Sequence, residues 1–479
     1  MIINKLNNIP DFYIKGGISF INEKSTGLPK YLKEGDKAFV KNQIEIEKSI
    51  IQIVHNQHVS YLIVIKDNQD LEYYRKKGNE MFALLKSNKE TVLSIDGSSI
   101  NQFELMAFAE GVCLSSYQFI KYFKTNEQNK KKHTITELNL YNSEITDTQV
   151  KNLNHLVKAV FWARNMVNEP ANALNATKFS DEVVLLGKES GFSVEVLDKK
   201  KIEALKMGGL LAVNKGSIDP PTFTICEWKP KNAKNKKPYV LVGKGVMFDT
   251  GGLSLKPTAN SMDLMKSDMG GAAAVAATIY AISLCKNPVW VIGLLPATDN
   301  RPDGNAYAPG DIIKMYNGLH VEVMNTDAEG RMILADALSY ADKYKPELVI
   351  DMATLTGSAV MAIGKYASIC MGNAGDAYFE KLKTAGNNTH ERLVQFPFWD
   401  DYKESIKSPV ADIKNIGERE AGAISAGKFL EHFTKSPYIH IDIAGTGFLS
   451  SDDSYRLKGG TGVGVRLLAG FFDIVSNQA

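Results

Sequence analysis

Cysteine is scarce in this 479-residue chain: Cys113, Cys226, Cys285 and Cys370 stand far apart, with no CxxC pair. That excludes a disulfide framework and a thiolate zinc site, and it suits a reducing compartment. An excess of one charge is lacking too. The formal net charge is +2, so no global basic field points to nucleic acid or a membrane surface. The longest apolar run, Gly270 to Cys285, falls short of the roughly 20 residues that span a bilayer and is rich in alanine; a buried core helix is expected. Met1 to Asn8 holds no continuous apolar stretch, so no signal peptide is expected and a cytoplasmic location is the default reading. Three catalytic signatures are missing: HExxH, the GxSxG nucleophile elbow and the GxxxxGK[ST] phosphate loop.

What is present alternates. Over residues 1–145, strand-like segments (Val59 to Ile65, Thr91 to Ile95) interleave with helix-like ones (Asp70 to Lys86, Phe103 to Phe123), which predicts an N-terminal α/β domain. Lys121 to His133 is polar and basic and reads as a solvated loop, as does Lys229 to Lys237. A helical pattern from Thr146 to Val167, ending near Asn168-Glu169-Pro170-Ala171-Asn172, marks a junction over 146–175. Residues 176–479 then read as a second α/β domain with a largely parallel central sheet. Its strands are expected at Tyr239 to Val242, Val289 to Leu295, Val321 to Met324 and Leu348 to Met352, with helices at Ser261 to Cys285, Arg331 to Lys343 and after Thr356.

Polar clusters follow three of these strands: Lys244 and Asp249, then Asp327 and Glu329, then Thr354-Leu355-Thr356-Gly357. Ligands in parallel sheets bind outside the carboxyl ends of strands, so distant segments can meet there. With Asp268, Lys256 and Arg331 the set comprises four acids, two lysines and an arginine, with neither histidine nor cysteine. Crowded carboxylates are costly without cations, and a pair of divalent ions would neutralise them. Lys244, between two glycines, is the candidate for a lysine that ligates as the neutral amine; Lys256 and Arg331 would stay charged and face developing negative charge. Asp263 and Asp336 read as caps or surface acids, Asp299, Asp303 and Asp311 as turn formers, and His320 and His440 as structural.

The segments VGKGVMFDTGG (242–252), KPTANSMDLMKSDMGG (256–271), NAYAPGD (305–311), NTDAEGR (325–331), IKNIGEREAGAISAGKFL (413–430) and HIDIAG (440–445) together resemble the leucyl aminopeptidase family, the cytosol aminopeptidases, which are dinuclear metallopeptidases. The resemblance spans about residues 160 to 475. It implies a macro-like N-terminal domain and a catalytic C-terminal domain. It implies one metal held by Lys244, Asp249, Asp268 and Glu329, and a second held by Asp249, Asp327 and Glu329, the ions being Mn²⁺ or Zn²⁺. It further implies Lys256 as the group polarising the substrate carbonyl, and a bicarbonate at Arg331 as general base. Met265, Thr354, Leu355, Gly357 and Ala444 would contact peptide substrate, and Gly447 would stand where relatives often carry a larger pocket-wall residue. Relatives assemble as homohexamers. Two other readings share parts of the pattern: a cysteinylglycine-type dipeptidase and an added DNA-binding role, although nucleic acid is not indicated by charge.

Overall fold

The computed structural model describes residues 1–9, 16–24, 28–29, 31–55, 58–86 and 91–478. The chain forms two compact units: Met1–Val157 with Asp452–Leu457, and Lys158–Ser451 with Lys458–Ala479.

Among the described residues the first unit carries six strands, β1 (Ile2–Lys5), β2 (Gly17–Asn22), β3 (Ile50–His55), β4 (His58–Ile65), β5 (Val92–Asp96) and β6 (Glu137–Tyr141). Their order is β1-β6-β5-β2-β4-β3, parallel except for β3. The helix Leu71–Leu85 starts where Asp70 accepts from the Tyr73 N–H at 2.9 Å. The helix Gln102–Ser115 starts with a capping box, Asn101 and Glu104 each accepting from the other's backbone. This second helix ends at Ser115, well before Phe123, and the basic stretch expected as a loop contains a short exposed helix, Thr125–Lys131. Every residue of this helix is polar, and its Glu127–Lys130 pair is solvated, so it carries no apolar signal.

The second unit holds β7 (Ser193–Leu197), β8 (Thr222–Trp228), β9 (Tyr239–Gly243), β10 (Gly245–Asp249), β11 (Val291–Asn300), β12 (Ile312–Lys314), β13 (His320–Glu322), β14 (Leu348–Ala353), β15 (Ser368–Gly372), β16 (Leu393–Gln395), β17 (Ile413–Lys414) and β18 (Tyr438–Asp442). The main sheet runs β16-β15-β18-β14-β9-β11-β8-β7, with β10 beside β11. Its centre, β18-β14-β9-β11, is parallel and buried on both faces, which is why Tyr239 to Val242 and Val289 to Leu295 read as apolar runs. The apolar run folds as the helix Gly270–Leu284, buried at every residue from Gly270 to Ser283. With the preceding 3₁₀ turn it is long and apolar enough to cross a membrane by composition, yet its most apolar window is 94% buried inside the fold.

One strand expectation is corrected. The segment near Val321 is not part of the main sheet: β13 ends at Glu322 and belongs to a separate three-stranded sheet, β12-β13-β17. Alternation of Val321 and Val323 around Glu322 fits either sheet, so periodicity alone could not assign it. Asp336 is also corrected. It is fully buried, accepting from the Leu210 N–H at 3.0 Å and the Tyr316 N–H at 2.8 Å. Asp299 is no turn residue either; it lies buried near the end of β11, bonded to Ser217 and Arg301.

Candidate metal centre and active site

Lys244 is the first residue beyond β9. Its backbone N–H donates to Met352 in β14 at 3.1 Å, and its carbonyl accepts from the Ala272 N–H at 2.8 Å. The helix Gly270–Leu284 must approach closely for this: a Cβ on Gly271 would stand 2.0 Å from the Met352 carbonyl oxygen. The chain continues as β10, whose register against β11 shifts between Val246 and Asp249, leaving Asp249 opposite Asn300. Asn300 Nδ2 donates to Asp249 Oδ1 at 2.9 Å and to the Thr326 carbonyl at 3.0 Å, so one buried amide ties the two acid-bearing segments together.

Since no main-sheet strand delivers Asp327 and Glu329, side-chain bonds hold their segment. Asn415 accepts from the Met324 N–H at 2.8 Å, donates to the Asn325 carbonyl at 2.7 Å, and through its own carbonyl receives Arg331 Nη1 at 2.9 Å. Thr326 Oγ1 donates to the Gly251 carbonyl at 2.6 Å and accepts from the Ser254 N–H at 2.8 Å, while Tyr307 donates to the Thr326 carbonyl at 2.7 Å. Glu329 and Arg331 then sit in the first turn of the helix Glu329–Ala341, both buried.

Two lysines fill the space among the acids. Lys244 Nζ reaches Asp268 Oδ1 at 2.8 Å, the Thr354 carbonyl at 2.9 Å and Glu329 Oε1 at 2.9 Å, so all three ammonium hydrogens have acceptors. Lys256 Nζ lies 2.9 Å from Asp249 Oδ2 and also contacts Asp327. Asp249, Asp268 and Glu329 each offer a carboxylate oxygen within 4.8 Å of the others. At ~4 Å and an effective dielectric of 20, two like charges repel by about 4 kcal/mol. The titration directions follow. Burial, then the charge of Glu329, pushes Asp249 up to about 7 against the pull of Lys256 and Lys244. Burial likewise raises Asp268 well above the carboxylate range, and raises Asp327. Burial would also raise Glu329, but Lys244 and Lys256 outweigh it and hold the group low. Both lysines, penalised by burial, are raised nonetheless by the surrounding carboxylates.

The donor set fits divalent cations. Its atoms are hard carboxylate oxygens in excess over the cationic groups that face them. Asp268 Oδ2 is buried with no hydrogen-bond donor; Lys244 Nζ, 2.8 Å away, directs its hydrogens elsewhere. Arg331 Nε is similarly buried without an acceptor, and burial lowers that guanidinium to about 10. Lys244, Asp249, Lys256, Asp268, Asp327, Glu329 and Arg331 all line one cavity of about 500 Å³, together with Met265, Thr354, Leu355, Gly357 and Ala444. Gly447 does not line it; the neighbouring Phe448 does, and a Cβ on Gly447 would meet Thr354 Cγ2 at 3.2 Å instead.

The family model described as cytosol aminopeptidase family, catalytic domain, matches residues 161–469. The chain belongs to this family. A probable cytosol aminopeptidase of Chlorobium luteolum is 51% identical over 309 residues, 64% of this chain and 60% of the relative. A second, from Sulfurihydrogenibium sp., is 43% identical over 398 residues, 80% of this chain and 78% of that one. The match thus spans 60% of the length of the first of these relatives. Among solved structures, the bottromycin maturation enzyme BotP in complex with Mn has a TM-score of 0.86 at 28% identity, covering 96% of this chain and 99% of that one. A mutant of tomato leucine aminopeptidase also has a TM-score of 0.86 at 28% identity, covering 98% and 96%.

Within this family member, residues outside the sequence-derived set shape the site. Asn300, Thr326 and Asn415 join its segments, as above. Asp442, at the end of β18, accepts from the Leu355 N–H at 3.1 Å, the Thr356 hydroxyl at 2.7 Å and the Ala444 N–H at 3.0 Å. It thereby sets both loops that form one cavity wall. Asp442 lies in the HIDIAG segment, so its position in a motif was visible; Asn300 carried no such signal. His440 is structural, with Nδ1 2.7 Å from Asp351 Oδ1 in the sheet interior.

Proposed function

We propose that the protein is a metal-dependent aminopeptidase that removes N-terminal residues, leucine-like ones among them, from peptides. The observation that carries this reading is the cluster of Asp249, Asp268 and Glu329, three buried acids within reach of one ion, on the same cavity as Asp327, Lys244 and Lys256. In this proposal Lys244, Asp249, Asp268 and Glu329 hold one divalent ion, and Asp249, Asp327 and Glu329 the other, Mn²⁺ or Zn²⁺. Bound there, the ions supply Lewis acidity for the peptide's free amine and carbonyl and make water nucleophilic near neutral pH.

The chain's own groups do the rest. Lys256 is charged and reaches the cavity at the Asp249–Asp327 edge, where it can donate to the substrate carbonyl oxygen as negative charge develops. Arg331, anchored by Nη1 on Asn415, keeps Nε free for a small planar anion, which supports a bicarbonate as the proton acceptor. Thr354 and Leu355, fixed by Asp268 and Asp442, present backbone to the peptide, and Met265, Gly357 and Ala444 bound the space for its first side chain.

Domain limits of 1–145, 146–175 and 176–479, a homohexameric assembly and a cytoplasmic location belong to the same proposal, supported by the family resemblance. A dipeptide panel tests the activity: chelation should abolish it, and added Mn²⁺, Zn²⁺, Co²⁺ or Mg²⁺ should restore it. Full turnover in a thoroughly demetallated sample would sink the reading.

A further inference from the structure

The metal cavity adjoins a second one of about 540 Å³, and Gly357, Ser358, Arg419 and Gly422 belong to the walls of both. Beyond them the second cavity is lined by Met361, Ala362, Phe396 and Ile424, an apolar surface of which Met361 is 87% exposed. The boundary between the cavities is held in shape. Ala421 adopts the left-handed conformation, φ 53°, at the start of the helix Gly422–Glu431, and a Cβ on Gly422 would come 2.5 Å from Ser358 Oγ. A left-handed non-glycine residue is strained and persists only where its surroundings fix it.

The charges at this boundary differ from those inside. Lys244 and Lys256 are matched by carboxylates, and Arg331 is buried on Asn415. Arg419 is exposed, and among the described residues it makes no hydrogen bond or ion pair. Glu418 lines the metal cavity beside it; only Arg419 of the two also lines the apolar cavity. An extended peptide advances roughly 3.5 Å per residue, so its third residue stands about 7 Å beyond the first, and lies on the side where the two cavities share Gly357, Ser358, Arg419 and Gly422 only if the chain runs that way.

We propose that Arg419 binds the free C-terminal carboxylate of a tripeptide whose third side chain lies in the apolar cavity, so that the enzyme favours short peptides with an apolar third residue. This rests on the aminopeptidase reading, and the test separates the two. The metal-loaded full chain is assayed on leucinamide, Leu-Gly-Phe, Leu-Gly-Phe-amide and Leu-Gly-Gly, as wild type, Arg419→Gln and Arg419→Lys. Wild type should prefer the acid to the amide about five-fold in kcat/KM, through KM, the size of one solvent-exposed ion pair. In Arg419→Gln that ratio should fall to about one, and Arg419→Lys should restore part of it. Leu-Gly-Phe should exceed Leu-Gly-Gly in all three proteins. An acid-to-amide ratio that Arg419→Gln leaves unchanged, an absent preference in wild type, or equal rates for phenylalanine and glycine in third place would each overturn the inference. Leucinamide has no second residue, so its resistance to hydrolysis with every metal would refute the aminopeptidase reading itself.

Discussion

Gly330→Ala is a one-methyl change whose effect can be worked out from the site. The residue follows Glu329 in the first turn of its helix, and an alanine Cβ would stand 2.3 Å from Lys244 Cε and 2.7 Å from Cδ and Nζ. Ordinary contacts begin near 3.4 Å, so the lysine tip must retreat by roughly 1 Å. It has little room, because Nζ is fixed by Asp268, Thr354 and Glu329 and the side chain is 3% exposed. Charge-assisted hydrogen bonds are worth about 1.5–3 kcal/mol each, more than the ~1 kcal/mol a helix gains on replacing glycine by alanine. A displacement of 1 Å at a reacting centre costs about 10²-fold in rate. We therefore expect kcat/KM on leucinamide to fall about 10²-fold, bound metal measured by mass spectrometry to fall with it, and the melting temperature not to rise. Gly375→Ala, where a Cβ meets nothing within 4 Å, is the control and should match wild type. Wild-type kcat/KM with wild-type metal content in Gly330→Ala would refute the reasoning that Lys244 needs this clearance.

Three further outcomes are expected. Lys256→Ala should lower kcat by roughly 10²–10³ with metal content near wild type; loss of a metal would instead make Lys256 a ligand. Leu-Gly should be cleaved faster as pH rises through the α-amine range of ~7.7–8.0, and acetyl-Leu-Gly should resist, since acetylation removes the amine lone pair; efficient cleavage of the acetylated peptide would exclude amine binding by metal. Burial pushes the Asp336 carboxyl up to about 7, against the backbone N–H groups of Leu210, Tyr316 and Gly209. Between the unfolded value of about 3.9 and that folded value, the native chain keeps a proton that the unfolded chain has lost. Its stability therefore falls as pH rises through that window. Asp336→Asn should make the slope of urea-derived stability less negative there by up to about 1.4 kcal/mol per pH unit, and coincident slopes would show that the group titrates normally.

Strands β9, β11 and β14, the buried helix from Gly270 and the acids of the cluster were readable because each leaves a local trace: an apolar run, a helical spacing or a dense acidic motif; β18 was not expected as a strand, since His440 and Asp442 interrupt it. The placement of β13 was not readable, because a three-residue strand with alternating valines fits either sheet. Asn300 and Asn415 were missed for a related reason. Their importance lies in joining segments that meet only in three dimensions, Asp249 to Thr326 and Met324 to Arg331; Asn300 has no local mark for that, and Asn415, although inside the 413–430 motif segment, shows its joining role only in the fold. Asp336 was misread because its helix, Glu329–Ala341, is buried almost all round and leaves the acid no solvated face, which a lone charged residue in the sequence does not reveal.

The position of β18 has a consequence for synthesis. It is the last strand of the main sheet in sequence, yet it lies between β14 and β15. β15 and β16, although made earlier, reach the sheet only through it. A nascent chain that has emerged past β14 therefore presents an open, apolar edge until residue 442 leaves the ribosome, the kind of edge that recruits other strands. Truncation ahead of β18 removes the seat of two strands, β15 and β16, together with the Asp442 that shapes the cavity wall, so the proposed active site cannot form before the sheet is complete.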